Sequence, residues 1–113
     1  MSPVAEPYLT ELLELTEAWH GADPSIGAVD CRHFFSGAAA YRDGAIVATL
    51  TPVGLAFKVP AEVRDDMLAR GVAVELRYFD NSPMKRDYVL FPDAGVEPDD
   101  AVRLIRGESL DGG

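Results

Sequence analysis

Between Pro7 and His20 the positions Leu9, Leu12, Leu13, Thr16 and Trp19 recur at helical spacing, while Glu11, Glu14 and Glu17 turn mostly away from that stripe. The pattern predicts an amphipathic helix over residues 7–20. Pro7 suits a first helical turn, and Gly21 followed by Asp23-Pro24 supplies a stop. Glycine, proline and serine crowd the next stretch, ADPSIGA, which reads as a loop.

From Asp30 the period shortens. The runs DCRHFF, AAAY, AIVATLT and LAFKV are short and separated by turn residues, which is strand patterning. Asp43-Gly44 is a two-residue hairpin signal, because a type I′ turn needs positive φ at both central residues and Asp and Gly tolerate it. Thr51-Pro52-Val53-Gly54 is the next turn, and the two-residue period then sets Val53, Leu55, Phe57 and Val59 on one face. These two turns predict three consecutive antiparallel strands.

Pro60 opens a second helix, PAEVRDDMLARG, with Glu62, Asp65 and Asp66 early, Arg70 late and Gly71 as its stop. Val72, Val74, Leu76 and Tyr78 alternate with Ala73, Glu75, Arg77 and Phe79, a strand with one apolar face. Asp80-Asn81-Ser82-Pro83 turns the chain, and Asp87 to Phe91 returns as a fifth strand. A short third helix is expected in PDDAVRLIRG, with Asp99 or Asp100 near its start and Gly107 as its stop. The expectation is one α+β domain over residues 1–107 and a mobile tail over 108–113. Its element order is α-β-β-β-α-β-β-α, a mainly antiparallel five-stranded sheet with helices packed on one face, most economically the first two.

Composition adds to this picture where it excludes something. A chain of 113 residues can bury a core without disulfides or a metal, and the lone Cys31 has no partner for an internal bridge. The first residues carry acids and an early proline rather than the basic start and apolar run of a secretory signal, and no stretch approaches the length of a membrane span. A cytoplasmic protein with no membrane association is expected. Nineteen acidic against ten basic residues give a net charge of −9, which repels a phosphate backbone unless the basic residues gather on one face and leaves basic protein surfaces or cationic ligands as targets.

The candidate chemistry is thin. Ser36-Gly37 lacks both the P-loop spacing and the elbow that exposes a hydrolase nucleophile, so the small residues around it read as strand packing. Cys31 and His33 share a strand face with Cα atoms about 6 to 7 Å apart, long for a thiolate–imidazolium pair and short of the four ligands of a structural zinc site. His20, ending the first helix, suits the helix dipole. Asp65-Asp66 and Asp99-Asp100 point about 100° apart on their helices and read as caps rather than as an acid–base pair. Arg77, Lys85 and Arg86, with Tyr78, Phe79 and Tyr88 nearby, form a cluster that suits either a weak single-stranded nucleic-acid contact or a sheet edge guarded by charge. Direct nucleic-acid binding is disfavoured, because Glu75, Asp80 and Asp87 lie among these cations.

The run Phe34-Phe35-Ser36-Gly37-Ala38-Ala39-Ala40-Tyr41-Arg42-Asp43-Gly44, followed by Leu55-Ala56-Phe57-Lys58-Val59, resembles the TfoX/Sxy N-terminal domain family. Relatives there carry a Met-Phe-Gly-Gly-x-Gly stretch, an aromatic residue, an Asp-Gly turn and a Leu-Tyr-Leu-Lys-like strand. Arg64, and the strand Tyr88-Val89-Leu90-Phe91-Pro92, also fall where relatives carry an arginine and a Tyr-Tyr-x-Val-Pro-like segment. Phe34 stands in place of Met, Ser36 and Ala39 in place of two glycines, and the last helix lacks the family's tryptophan. The chain is thus similar to a divergent, stand-alone member.

The resemblance implies a non-catalytic bacterial domain without a cofactor, best known as the front half of a competence regulator acting with a cyclic-AMP-responsive transcription factor. The second, C-terminal domain of that regulator has no counterpart in these residues. What the resemblance implies is a regulatory domain with a protein partner, a transcription regulator being the first candidate. An exposed edge strand makes a homodimer a further expectation. A thiol-dependent activity of Cys31 is the enzymatic alternative.

Overall fold

A computed structural model describes residues 6–76 and 85–110 of the chain. The amphipathic stripe forms helix α1 at Glu6–Ala22, two residues past the expected end. Gly21 has nothing within 4 Å and does not stop the helix. The break comes at Asp23, which precedes Pro24 and takes extended dihedrals of −154° and 93°. Its carboxylate caps a single 3-10 turn, Pro24–Ile26, by accepting from the Ser25 N–H at 3.0 Å.

The sheet has six strands, one more than the five expected: β1 Val29–Phe34, β2 Gly37–Arg42, β3 Ala45–Thr51, β4 Gly54–Lys58, β5 Val74–Leu76 and β6 Lys85–Phe91. The extra strand arises because the run from Asp30 to Tyr41 reverses at Phe35-Ser36, a turn whose two central residues are neither Gly nor Asn. Phe35 itself adopts φ 50°, a region that a bulky side chain rarely enters. Asp43 and Gly44 take φ 54° and 81° and make the predicted hairpin between β2 and β3. Every pairing is antiparallel, in the order β1-β2-β3-β4-β6-β5. Among the described residues the two edges are therefore β1 and β5.

Helix α2 spans Ala61–Ala69 and α3 spans Pro98–Ile105. Gly71, at φ 73°, follows the C-terminal end of α2 as expected. α1 lies over β1 and β2, α2 against β5 and β6, and α3 against α1 and β4, so α3 joins the first two helices in covering the sheet. The main core is shared by all three helices and one sheet face, with Leu12, Trp19, Leu50, Leu55, Phe57, Met67, Val89 and Leu104 among its members. Phe57 is fully buried, with its ring 5.4 Å from Trp19 and 6.1 Å from Phe91. A second, smaller cluster of Ala56, Leu76 and Leu90 lies apart from it, with Val53 and Tyr88 packed alongside.

Three sequence expectations change inside this frame. Leu13 is not part of the buried stripe but 49% exposed, because Leu12, Thr16 and Trp19 define the inward direction of α1. Strand β5 shifts register between Glu75 and Leu76, which leaves Val74 exposed and Leu76 buried, while the rest of the predicted alternation, Arg77 to Phe79, and the turn expected at Asp80-Asn81-Ser82-Pro83 lie outside the described residues. The segment expected to be a free tail contributes Leu110 to the main core. Around it Arg103 donates to the Ser109 carbonyl at 2.9 Å, and Arg70 to the Leu110 carbonyl at 2.5 Å.

Candidate functional site

The residues that carry the family resemblance fall into two groups: those that build the sheet and those that face outward. Gly37 belongs to the first. A Cβ there would lie 2.1 Å from the Leu50 carbonyl oxygen and 2.8 Å from the Thr51 Cα, so β2 can start against β3 only with no side chain at this position. Ala38, Ala39 and Ala40 follow, all fully buried. Gly54 repeats the device at β4: its φ is 131°, and a Cβ would sit 2.6 Å from the Phe91 carbonyl and 2.7 Å from the Pro92 Cα. Leu55 and Phe57 fill the main core. The small-residue run is a packing device.

Arg64 is 8% exposed on α2, and its guanidinium reaches Asp65 at 3.2 Å. A basic side chain so far buried holds its place through charge-assisted hydrogen bonds rather than by packing alone. Tyr41 is half-buried with the Arg32 guanidinium 5.3 Å from its ring centre, a cation–π contact on the face opposite the main core. Arg42 donates from Nε to the Ile26 carbonyl at 2.7 Å and ties the end of β2 to the 3-10 turn. Tyr88 on β6 pairs with Lys58 on β4.

The outward group is small. Phe35 is 85% exposed at the tip of the β1–β2 turn, its ring 4.6 Å from Phe34 in an edge-on arrangement. Lys58 is exposed on the rim of a shallow groove of about 460 Å³ that also touches Pro60, Asp87, Ile105 and Arg106. Of the two cations there, Arg106 is committed to Asp23 at 2.5 Å and to the Ser25 hydroxyl. Hydrogen bonds from the Ser25 side chain and backbone, with the Arg106 charge, hold the Asp23 carboxyl below its usual range. Asp66 is lowered similarly by Arg70 and Ser109, which clamp the end of α2 to the Ser109 stretch. Both arrangements fasten the molecule's own segments.

Cys31 sits half-buried beneath α1, with its Sγ 3.6 Å from the Thr16 hydroxyl, while His33 is exposed farther along β1. Burial pushes the thiol above its usual value, outweighing the hydrogen bond from Thr16. The thiolate is the reactive form, so alkylation of Cys31 by iodoacetamide at neutral pH should run several-fold slower than that of a free cysteine. A rate equal to the free thiol's would contradict the raised pKa, and a faster one would show that Cys31 is activated and would revive the enzymatic alternative. Among the described residues no three of His, Cys, Asp and Glu gather within metal-binding reach. Ser36 is exposed in the turn and His20 on the last turn of α1.

Arg77 and the side chains of Lys85 and Arg86, the cationic cluster noted in the sequence, lie outside the described residues. No helix among the described residues is long and apolar enough to cross a membrane. No curated protein and no solved structure matches the chain. A family model does: that of the TfoX N-terminal domain, over residues 23–112.

Proposed function

Because the chain belongs to the TfoX N-terminal domain family, we infer that it is a regulatory domain that works by docking onto another protein in the cytoplasm, without catalysis or a cofactor. The observation that carries this reading is Phe35. A large aromatic side chain stands 85% exposed, on a backbone conformation that costs roughly 1–3 kcal/mol for a residue other than glycine. Asn or Gly would suit the turn better. An aromatic side chain presented in this way is the residue type that dominates protein–protein binding energy. The charge of −9 disfavours a direct phosphate-backbone partner and favours a basic protein, as a nucleic-acid-binding regulator would be.

The test uses Phe35→Asn, which removes the anchor and relieves the strained dihedral. Thermal stability should stay level or rise. Tagged wild-type protein should capture a transcription regulator from its own cells, absent from a charge-matched control, and the variant should lose it. Recovery of no protein but the bait, or capture unchanged in Phe35→Asn, would sink the reading.

A further inference from the structure

Strand β1 is an edge with a charge pattern complementary to itself. Its neighbour β2 is joined by a two-residue turn, and Phe34 pairs with Gly37 across it, so Phe34, Arg32 and Asp30 direct their backbone groups toward β2. The N–H and C=O groups of Val29, Cys31 and His33 then point outward along the edge, where no strand among the described residues lies beyond β1. Six residues with no proline and no register shift make this a long, regular edge. The opposite edge, β5, shifts register between Glu75 and Leu76, an irregularity of the kind by which sheets ordinarily discourage pairing.

We propose that the protein forms a twofold dimer in which β1 pairs antiparallel with β1 of a second copy, the axis passing through Cys31. A twofold axis normal to the sheet places residues i and j opposite each other with a constant, even sum. With the axis at Cys31, Asp30 meets Arg32 of the second copy, and Arg32 meets its Asp30. Both pairs occupy the sheet positions at which directly opposed side chains approach most closely. Moving the axis to Asp30 or to Arg32 sets like charges face to face, and moving it to His33 leaves Arg32 opposite Phe34. Charge therefore selects one register among the neighbouring ones. Edge charges of a single sign keep strands apart. Opposite signs two residues apart do the reverse for an identical antiparallel partner.

A second observation converges on the same axis. Thr16 of α1 touches Cys31, so this flank of the helix lies over the edge strand. Leu13 lies one turn earlier and farther round the same side of the helix, and is 49% exposed. In the proposed dimer the two α1 helices run side by side over the joined strands, and Leu13 of each meets the other. An exposed leucine on a helix otherwise lined by Glu11, Glu14 and Glu17 then has a hydrophobic purpose.

Sedimentation equilibrium of the full chain tests the proposal. The wild type should show a concentration-dependent dimer. Asp30→Arg and Arg32→Asp should each weaken it at least about tenfold, since both symmetry-related pairs turn from attractive to repulsive. The double variant carrying both changes restores opposite charges across the axis and should recover wild-type association. Leu13→Glu should weaken it as well. All three positions are exposed, so far-UV circular dichroism of the monomer should not change. A wild type that stays monomeric at every accessible concentration overturns the proposal. So does a dimer indifferent to both single reversals, or a double variant that fails to recover.

Discussion

Gly37→Ala should cost the protein about 3 kcal/mol of stability, at the upper end of what forcing extra volume into a packed interior removes. The added methyl would sit 2.1 Å from a backbone oxygen of β3, and neither atom belongs to a flexible side chain that could swing aside. Relief requires β2 and β3 to separate at Ala38–Leu50, where both residues are already buried. For a domain whose whole stability is on the order of 5–15 kcal/mol this is a large fraction. Urea unfolding should show a lower midpoint at an unchanged slope. Gly21→Ala, with open space around it, is the control showing that alanine as such is harmless. A Gly37→Ala midpoint matching wild type would mean that β2 does not approach β3 as described.

Phe57→Ala should be at least as damaging, at about 3–5 kcal/mol. Phe57 is fully buried on the central strand β4 and joins Trp19 of α1 to Phe91 of β6 through ring contacts. Truncation leaves a cavity that two rigid rings on different elements cannot jointly close. Phe57→Leu keeps most of the volume and should lose far less. Trp19 is the chain's single tryptophan, so its emission reports directly on this contact and on unfolding. A loss below about 1 kcal/mol in Phe57→Ala would contradict the close packing of a native core.

Together these two results bear on how the family motif should be understood. Gly37 and Phe57 are motif residues whose work is architectural, and their variants should fail by unfolding. Phe35 is a motif residue of the opposite kind, since its replacement by Asn should spare the fold and impair docking. Stability measurements on all three would separate the part of the motif that builds the sheet from the part that meets a partner.

The helical spacing of Leu12, Thr16 and Trp19, the Asp43-Gly44 hairpin, the Gly71 stop and the one-faced period of Leu55 and Phe57 were all legible along the chain. Each is a local property: periodicity and turn chemistry act over a few residues, and the backbone obeys them before anything packs. The β1–β2 reversal was legible only in part: Ser36-Gly37 separates the two runs, but nothing local marks the bulky Phe35 as the residue that takes the left-handed dihedral. The need for Gly37 to be glycine was not legible, since the atom that forbids a side chain there belongs to Leu50, thirteen positions away.

Pattern along the chain was enough for the α+β class, the family, the order of most elements and the net negative charge. That β1 forms a sheet edge, that Leu13 and Phe35 face outward and that Leu110 enters the core emerged from the packing of the elements. These depend on which elements lie side by side, and that is settled by contacts between residues far apart in the chain, which no local pattern encodes.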